Sequence, residues 1–471
     1  MMHTAGHTES LIARALRFFG ARLRAGEPSV DYDTPYSVGD TSPEIEPYSR
    51  RAAIASAREL MRNDATSAGI ANRLQQAVVG TGIQPSARTV DGAWNDAAES
   101  WWADWSDAPE VTGTKSLVDI QRAAVVALLT DGGIALRLRD DGLVEVVELD
   151  RLRAADDNDL PYLVDDSGRV AAWMIAPRTA DGLGTPEAVP VERVLMLAHT
   201  ARAEQIVPHP MLAPVVNDLR NLSELQGYAM RAYKTQSATA ATFERADGAV
   251  GLAHAANGLT ARRAGENKQA VESFARATGM TILDARGKLS PVEVKAPGVH
   301  YDSFTAATTK RAAMAIGLPY EFLTLFFGQS YSASRATLSQ AHATISVWQD
   351  RLIRTILRPL FVWRVAMAIR AGEIPPAPCA LSAAVDWQRP AFDWIDPADA
   401  TQSDLVAIRA GLMTAAEAAE KRGQQLDAVL EARAREIALV QSIALRHGIE
   451  PSDLSTIVIA GDTTAPKGNA E

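Results

Sequence analysis

The chain has 471 residues, 47% of them hydrophobic and 22% charged, with a formal net charge of −10. That length suits two to four domains at roughly 150 residues each, and the composition is enough for a packed core. The acidic balance excludes a protein that grips DNA through a basic stripe, no apolar run approaches the ~18 residues of a membrane span, and a single cysteine excludes an intrachain disulfide.

Leu11 to Arg24 mixes four arginines with six apolar residues and predicts a short amphipathic helix that docks on a neighbour, not a secretory signal. Residues 25–47 lack periodicity and read as an extended arm. From Tyr48 apolar residues recur at helical spacing in two helices, broken near Asn63-Asp64, and Val79-Gly80-Thr81-Gly82-Ile83 ends the second. Trp94, Trp101, Trp102 and Trp105 follow at helical spacing and predict an aromatic core face. Another helix is expected over 117–129. Asp140-Asp141-Gly142 between two alternating runs is a hairpin signal, and further strands are expected near 160–164, 170–176 and 194–199. Residues 48–200 therefore read as an α+β domain.

Pro210 and Pro214 open a long helix to about Glu244. The Gly-rich stretch 247–298 carries a hairpin candidate from Met280 to Lys295, and a second helix runs from about Asp302 to Ile316. Gly317-Leu318-Pro319-Tyr320 then leads into a loop of small, polar and aromatic residues. Behind it Ser334 to Ala371 reads as one helix with a kink at Pro359, where the ring removes a backbone donor. Cys379 reads as a small buried residue, since no cation or helix start beside it would lower its pKa. Leu381–Trp394 is strand-like. Asp396-Pro397 caps a helix that Gly411 closes, Thr414-Ala415-Ala416-Glu417 is a capping box, and a last helix reaches about His447 before a disordered tail after Gly461.

Reaction chemistry is not signalled. The sequence holds no Gly-x-x-x-x-Gly-Lys-Ser/Thr loop, no His-Glu-x-x-His, no cysteine pair for zinc and no Gly-x-Ser-x-Gly elbow, so no cofactor, metal or catalytic residue is expected. The acidic groups Asp140-Asp141, Asp156-Asp157-Asp159 and Asp165-Asp166 suit turns, where aspartate stabilises the local backbone. A monomeric nuclease would instead use them to hold two divalent metals.

Three separated segments resemble the lambda family of tailed-phage portal proteins. They are Arg62-Asn63-Asp64-Ala65 with Val78-Val79-Gly80-Thr81-Gly82-Ile83; Gly317-Leu318-Pro319-Tyr320 with Tyr331-Ser332-Ala333-Ser334-Arg335-Ala336; and Trp387-Gln388-Arg389-Pro390 with Ile395-Asp396-Pro397 and Gly411-Leu412-Met413-Thr414. The stretch Phe326-Phe327-Gly328-Gln329 departs from the more polar sequence usual in that family. The resemblance implies a mainly helical α+β portal fold assembled as a ring of about 12 subunits. It implies an arm (1–47), a wing (48–200), a first stem helix (201–246), a clip (247–298) and a second stem helix (299–318). A tunnel loop (319–336), a long kinked helix returning to the wing (337–395) and a helical crown with its tail (396–471) complete it. The tunnel loop would present Phe326, Phe327, Gly328, Gln329, Ser330, Tyr331, Ser332 and Arg335 to passing double-stranded DNA, with the kink at Pro359 behind it. The implied partners are the terminase large subunit, head–tail connector proteins and the major capsid protein, with no membrane. The implied place is the capsid vertex of a virion assembled in the bacterial host cytoplasm. The alternatives are the nuclease above and a helical scaffold or adaptor protein of the virion.

Overall fold

The computed structural model describes residues 44–154, 156, 159–240, 301–327, 330–390 and 397–449. The expected N-terminal helix, most of the arm, the 247–298 segment with its hairpin, Asp157, Asp396 and the tail lie outside the described residues.

In chain order, α1 (Pro47–Asn63) and α2 (Ala65–Val78) are separated by Asp64 alone. The Asp64 amide donates to Leu60 O, and its carboxylate accepts from the Ser67 amide at 2.7 Å and the Ser67 hydroxyl at 2.8 Å. One residue thus ends the first helix and caps the second. Then come β1 (Gln84–Ala87), α3 (Gly92–Ser106), α4 (Leu117–Thr130), β2 (Gly133–Leu138) and β3 (Val144–Glu148). Next are β4 (Tyr162–Val164), β5 (Val170–Ile175), the short pair β6 (Arg178–Thr179) and β7 (Gly182–Leu183), β8 (Glu187–Pro190) and β9 (Val194–Ala198). The helices α5 (Val216–Ala240), α6 (Tyr301–Ala315), α7 (Tyr320–Thr324) and α8 (Tyr331–Leu352) follow. A π turn over Ile353–Leu357 leads to α9 (Arg358–Ala371), and β10 (Val385–Gln388), α10 (Pro397–Arg409), α11 (Ala415–Glu420) and α12 (Leu426–His447) complete the chain.

Two compact units divide these elements: residues 1–75 with 122–351, and 76–121 with 352–471. The expected single α+β domain over 48–200 is thereby split. Its middle belongs with the C-terminal part because β1 pairs antiparallel with β10, Gln84 opposite Gln388 and Ala87 opposite Val385.

The first unit holds two three-stranded antiparallel sheets, ordered β3-β2-β9 and β4-β5-β8. Alternating residues of both meet in one core, with Ala135, Val147 and Val194 from the first and Trp173, Ile175 and Val189 from the second. Gly133 is required there, since a Cβ would fall 1.8 Å from Leu197 O. The β2–β3 hairpin forms where expected. Its turn is held by Asp141, which accepts from the Leu143 amide at 3.1 Å and from Arg139 Nε at 3.0 Å, while Asp140 pairs with Arg193. Asp165 likewise accepts from the amides of Ser167 and Arg169, each at 2.9 Å. Among the described residues no group of three His, Cys, Asp or Glu side chains is arranged to hold a metal ion.

Two arginines of α1 fasten that helix to the sheet. Arg50 is buried, donates to Pro208 O and Leu149 O at 2.7 Å each, and is pushed down to about 10 by burial. For Arg58 burial alone would lower the pKa, but the bonded Asp131 and the nearby Asp150 and Glu148 raise it.

In the second unit Trp94 and Trp102 are the buried part of the aromatic face expected on α3. Trp102 packs on Phe361 of α9 with ring centroids 5.1 Å apart, and Phe361 meets Trp387 of β10 edge-on at 6.3 Å. Trp101 and Trp105 are only half-buried and flank the Arg364 guanidinium, 4.5 and 5.8 Å from the ring centroids. Gln121 satisfies a buried backbone pair, accepting from the Ile83 amide at 2.8 Å and donating to Ile83 O at 3.0 Å. Cys379, expected to be buried, is exposed, in a proline-rich connection. The Thr414–Glu417 capping box forms with both reciprocal bonds.

No helix among the described residues is long and apolar enough to cross a membrane.

Candidate functional site

The site is built from the end of α6 onward, within the first unit. Gly317 takes φ +72°, its amide donates to Met314 O and the Leu318 amide reaches back to Ala313 O. This is a Schellman ending, closed by the buried Leu318. A Cβ on Gly317 would meet only Thr344 Cγ2 at 3.8 Å, so its left-handed backbone, not space, calls for glycine. Thr344 of α8 donates its hydroxyl to Gly317 O at 3.1 Å and ties the two ends of the segment together. Pro319 then starts α7, which is anchored by the buried Phe322.

Leu325 leaves α7 at φ +56° and is the one non-glycine residue with positive φ among the described residues. A branched side chain there costs on the order of 1 kcal/mol. The left-handed step turns the chain outward and puts Phe326 at 70% and Phe327 at 37% exposure. Gly328 and Gln329 lie outside the described residues. Ser330 is exposed and caps α8: its carbonyl accepts from the Ser334 amide at 2.9 Å and its hydroxyl from the Ala333 amide at 3.4 Å. The loop is therefore shorter than expected from sequence, spanning 325–330. Tyr331 opens the helix, and Ser332 and Arg335 sit exposed on its first turns instead of in the loop. Three serines at 330, 332 and 334 could each cap a helix; the first does.

Behind the loop α8 runs for 22 residues, about 33 Å. Its end is held to the sheet by Arg351, whose Nη2 donates to Ala198 O. Beside that anchor the rings of His199 and His209 lie 5.0 Å apart, and both imidazoles are pushed down by burial, His209 to about 4 with help from the charges of His199 and Arg50. Sequence reasoning missed this pair, because two histidines ten residues apart in a loop carry no spacing signal.

The helix expected to pass through Pro359 does so, as helical backbone continuous from Leu352 to Ala371, with a π turn interrupting its α-helical register. In the second unit a π turn precedes the proline, with the Arg358 amide on Ile353 O, and α9 restarts with Pro359 in its first turn. Because helical backbone runs unbroken from the π turn into α9, an N–H at 359 would have met a carbonyl one turn back, and proline leaves that bond unmade.

Chemically the loop offers aromatic bulk, hydroxyls and one nearby cation, Arg335, and no nucleophile beside a base.

Against known proteins, the family model described as phage portal protein, lambda family, matches residues 36–349, about two thirds of the chain. No curated protein gives a sequence match. Among solved structures, a neck of a native gene transfer agent particle computed with C12 symmetry shares 14% identity over 79% of this chain and 97% of its own, at a TM-score of 0.37. A portal protein of the HK97 phage family from Corynebacterium diphtheriae shares 12% over 74% of this chain and 98% of its own, at 0.34. Both TM-scores are low, so the assignment rests on the family match. The chain belongs to the lambda family of phage portal proteins.

Proposed function

We propose that about twelve copies of this chain close into a ring at one capsid vertex and form the channel through which the genome is packaged and ejected. The carrying observation is the loop at 325–330: two exposed phenylalanines held out between a Schellman turn and a serine-capped helix that are bonded to each other. Twelve such loops around an axis form a constriction for the duplex. Contact there is steric and weakly polar, since Ser330, Ser332 and Gln329 can meet phosphates without reading bases. Charge supports the reading, because twelve copies at −10 each carry −120, and an acidic wall lets phosphates slide where salt bridges would hold them.

In this reading residues 247–298 form the clip that docks the terminase large subunit and later the head–tail connector proteins. The major capsid protein surrounds the ring, and a separate terminase ATPase supplies the energy. The virion is assembled in the host cytoplasm.

The test is the double substitution Phe326→Ser with Phe327→Ser. Rings seen by negative-stain imaging should persist, while the length or retention of packaged DNA falls. If rings no longer assemble, the loop is an oligomerisation element and the constriction reading of it is wrong.

A further inference from the structure

The last helix, α12, is tethered where it begins and exposed over most of its described length. Its approach is tied to the β1–β10 ladder: Gln388 donates to Gly423 O, Gln425 Nε2 donates to Ser86 Oγ at 2.8 Å, and Arg88 pairs with Glu420 and Asp386. Beyond that tether 22 residues run for about 33 Å. Residues 431–439 are exposed on every face, and Ala444 is the one buried position among the described side chains of the helix. A helix of this length draws most of its stability from packing an apolar face, and α12 has such a face, with Leu430, Ile437 and Val440 at spacings of seven and three. The same unit carries a second, unlike apolar stripe where α10 ends: Leu405, Val406 and, past Gly411, Leu412 at 84% exposure.

We propose that the α12 stripe of one copy docks on the Leu405–Leu412 stripe of the next copy, head to tail; this rests on the ring reading above. Two facts choose a second copy over another partner. A closed ring needs two different, complementary faces on every subunit, and this unit carries two unlike stripes that do not cover each other. The area fits only a partner already held nearby. At roughly 110 Å² per fully exposed aliphatic side chain, the exposed parts of Leu405, Val406, Leu412, Leu430, Ile437 and Leu445 present roughly 400 Å². Shared between the two stripes, that falls short of the ~1,000 Å² that an independent complex clears. Within a ring, other contacts bring the two stripes together at high effective concentration, and a contact this small then suffices.

The test uses the full chain with its exposed cysteine removed, Cys379→Ser, and either or both of Leu412→Cys and Ile437→Cys, treated with a short bis-maleimide. The double variant should give a ladder of cross-linked multimers, and each single variant only the monomer band. Intact rings with no ladder would overturn the inference and leave the ring reading standing. Homotypic dimers from either single variant would also overturn it, by showing like faces in contact. In parallel, Leu430→Glu with Ile437→Glu should raise the concentration at which half the rings dissociate at least tenfold, with unchanged far-ultraviolet circular dichroism. If the unaltered protein stays monomeric at every concentration, the ring reading falls and this inference with it.

Discussion

The helices α9 and α12 belong to the same unit and were both legible in the sequence, yet they live in opposite surroundings. Of the 14 residues of α9, Leu360, Phe361, Val365 and Ala368 are buried, and Phe361 touches both Trp102 and Trp387. Among the described side chains of the 22-residue α12 one alanine is buried. Apolar periodicity reports that a face will be covered and is silent on whether the cover is in the same chain. α9 finds its cover in α3 and β10. Among the described residues nothing covers the stripe on α12.

The largest effect that can break this comparison is a truncation in the covered helix. Phe361→Ala removes the ring that bridges two tryptophans and should cost about 3–5 kcal/mol. Leu439→Ala on bare α12 should stay within about 0.5 kcal/mol in the monomer. Urea unfolding followed by tryptophan fluorescence measures both, and similar costs for the two would show that α12 is covered after all.

A second test takes the covered state into the first unit, where burial acts on charge. His209 is held neutral: Gln205 Nε2 lies 3.1 Å from its Nδ1, and burial, His199 and Arg50 push it down to about 4. Unfolded, the same imidazole titrates near ~6.5, so the unfolded chain binds more protons between those values. The stability contribution is complete above about pH 6.5 and drains away as pH falls toward about 4, up to about 3 kcal/mol in all. His209→Gln should flatten that slope between pH 6.5 and 4, leaving the smaller part due to His199. An unchanged slope in the variant would place the acid sensitivity elsewhere.

What the sequence made legible was local chemistry. Asp64 between two helices, the Asp140–Gly142 hairpin and the Thr414–Glu417 box each complete their bonds within a few residues, so their patterns determine them. The β1–β10 ladder joins Gln84 to Gln388, and nothing in either tetrapeptide names the other; the division of 48–200 between two units follows from that pairing. At the site, the turn at Gly317 and the emergence of Phe326 and Phe327 were readable. The left-handed Leu325 was not, because leucine carries no turn signal. The start of α8 was placed late because neighbouring serines compete as caps. Cys379 was placed in the interior by the average behaviour of cysteine, and its own proline-rich surroundings overrode that average.

The smallest expected effect concerns Pro359, and it separates two causes of the π turn. If the missing N–H forces the turn, Pro359→Ala restores a donor and the segment should relax to a plain α-helix. That relaxation would add or remove one residue of phase and rotate everything downstream by about 100°, since an α-helix turns 3.6 residues per revolution. Leu360, Phe361, Val365 and Ala368 would then leave the core that Trp102 and Trp387 complete, while Leu352, Ile353 and Ile356 hold the upstream side in place. Losing Phe361 alone costs about 3–5 kcal/mol, whereas one backbone hydrogen bond regained is worth about 1 kcal/mol. Packing therefore wins. Pro359→Ala should keep the π turn, change stability by under about 1 kcal/mol, and leave the near-ultraviolet circular dichroism of the tryptophan cluster unaltered. A loss of that signal, or new amide protection across 353–358 in hydrogen exchange, would show that the proline sets the phase of α9 and that the core merely follows it.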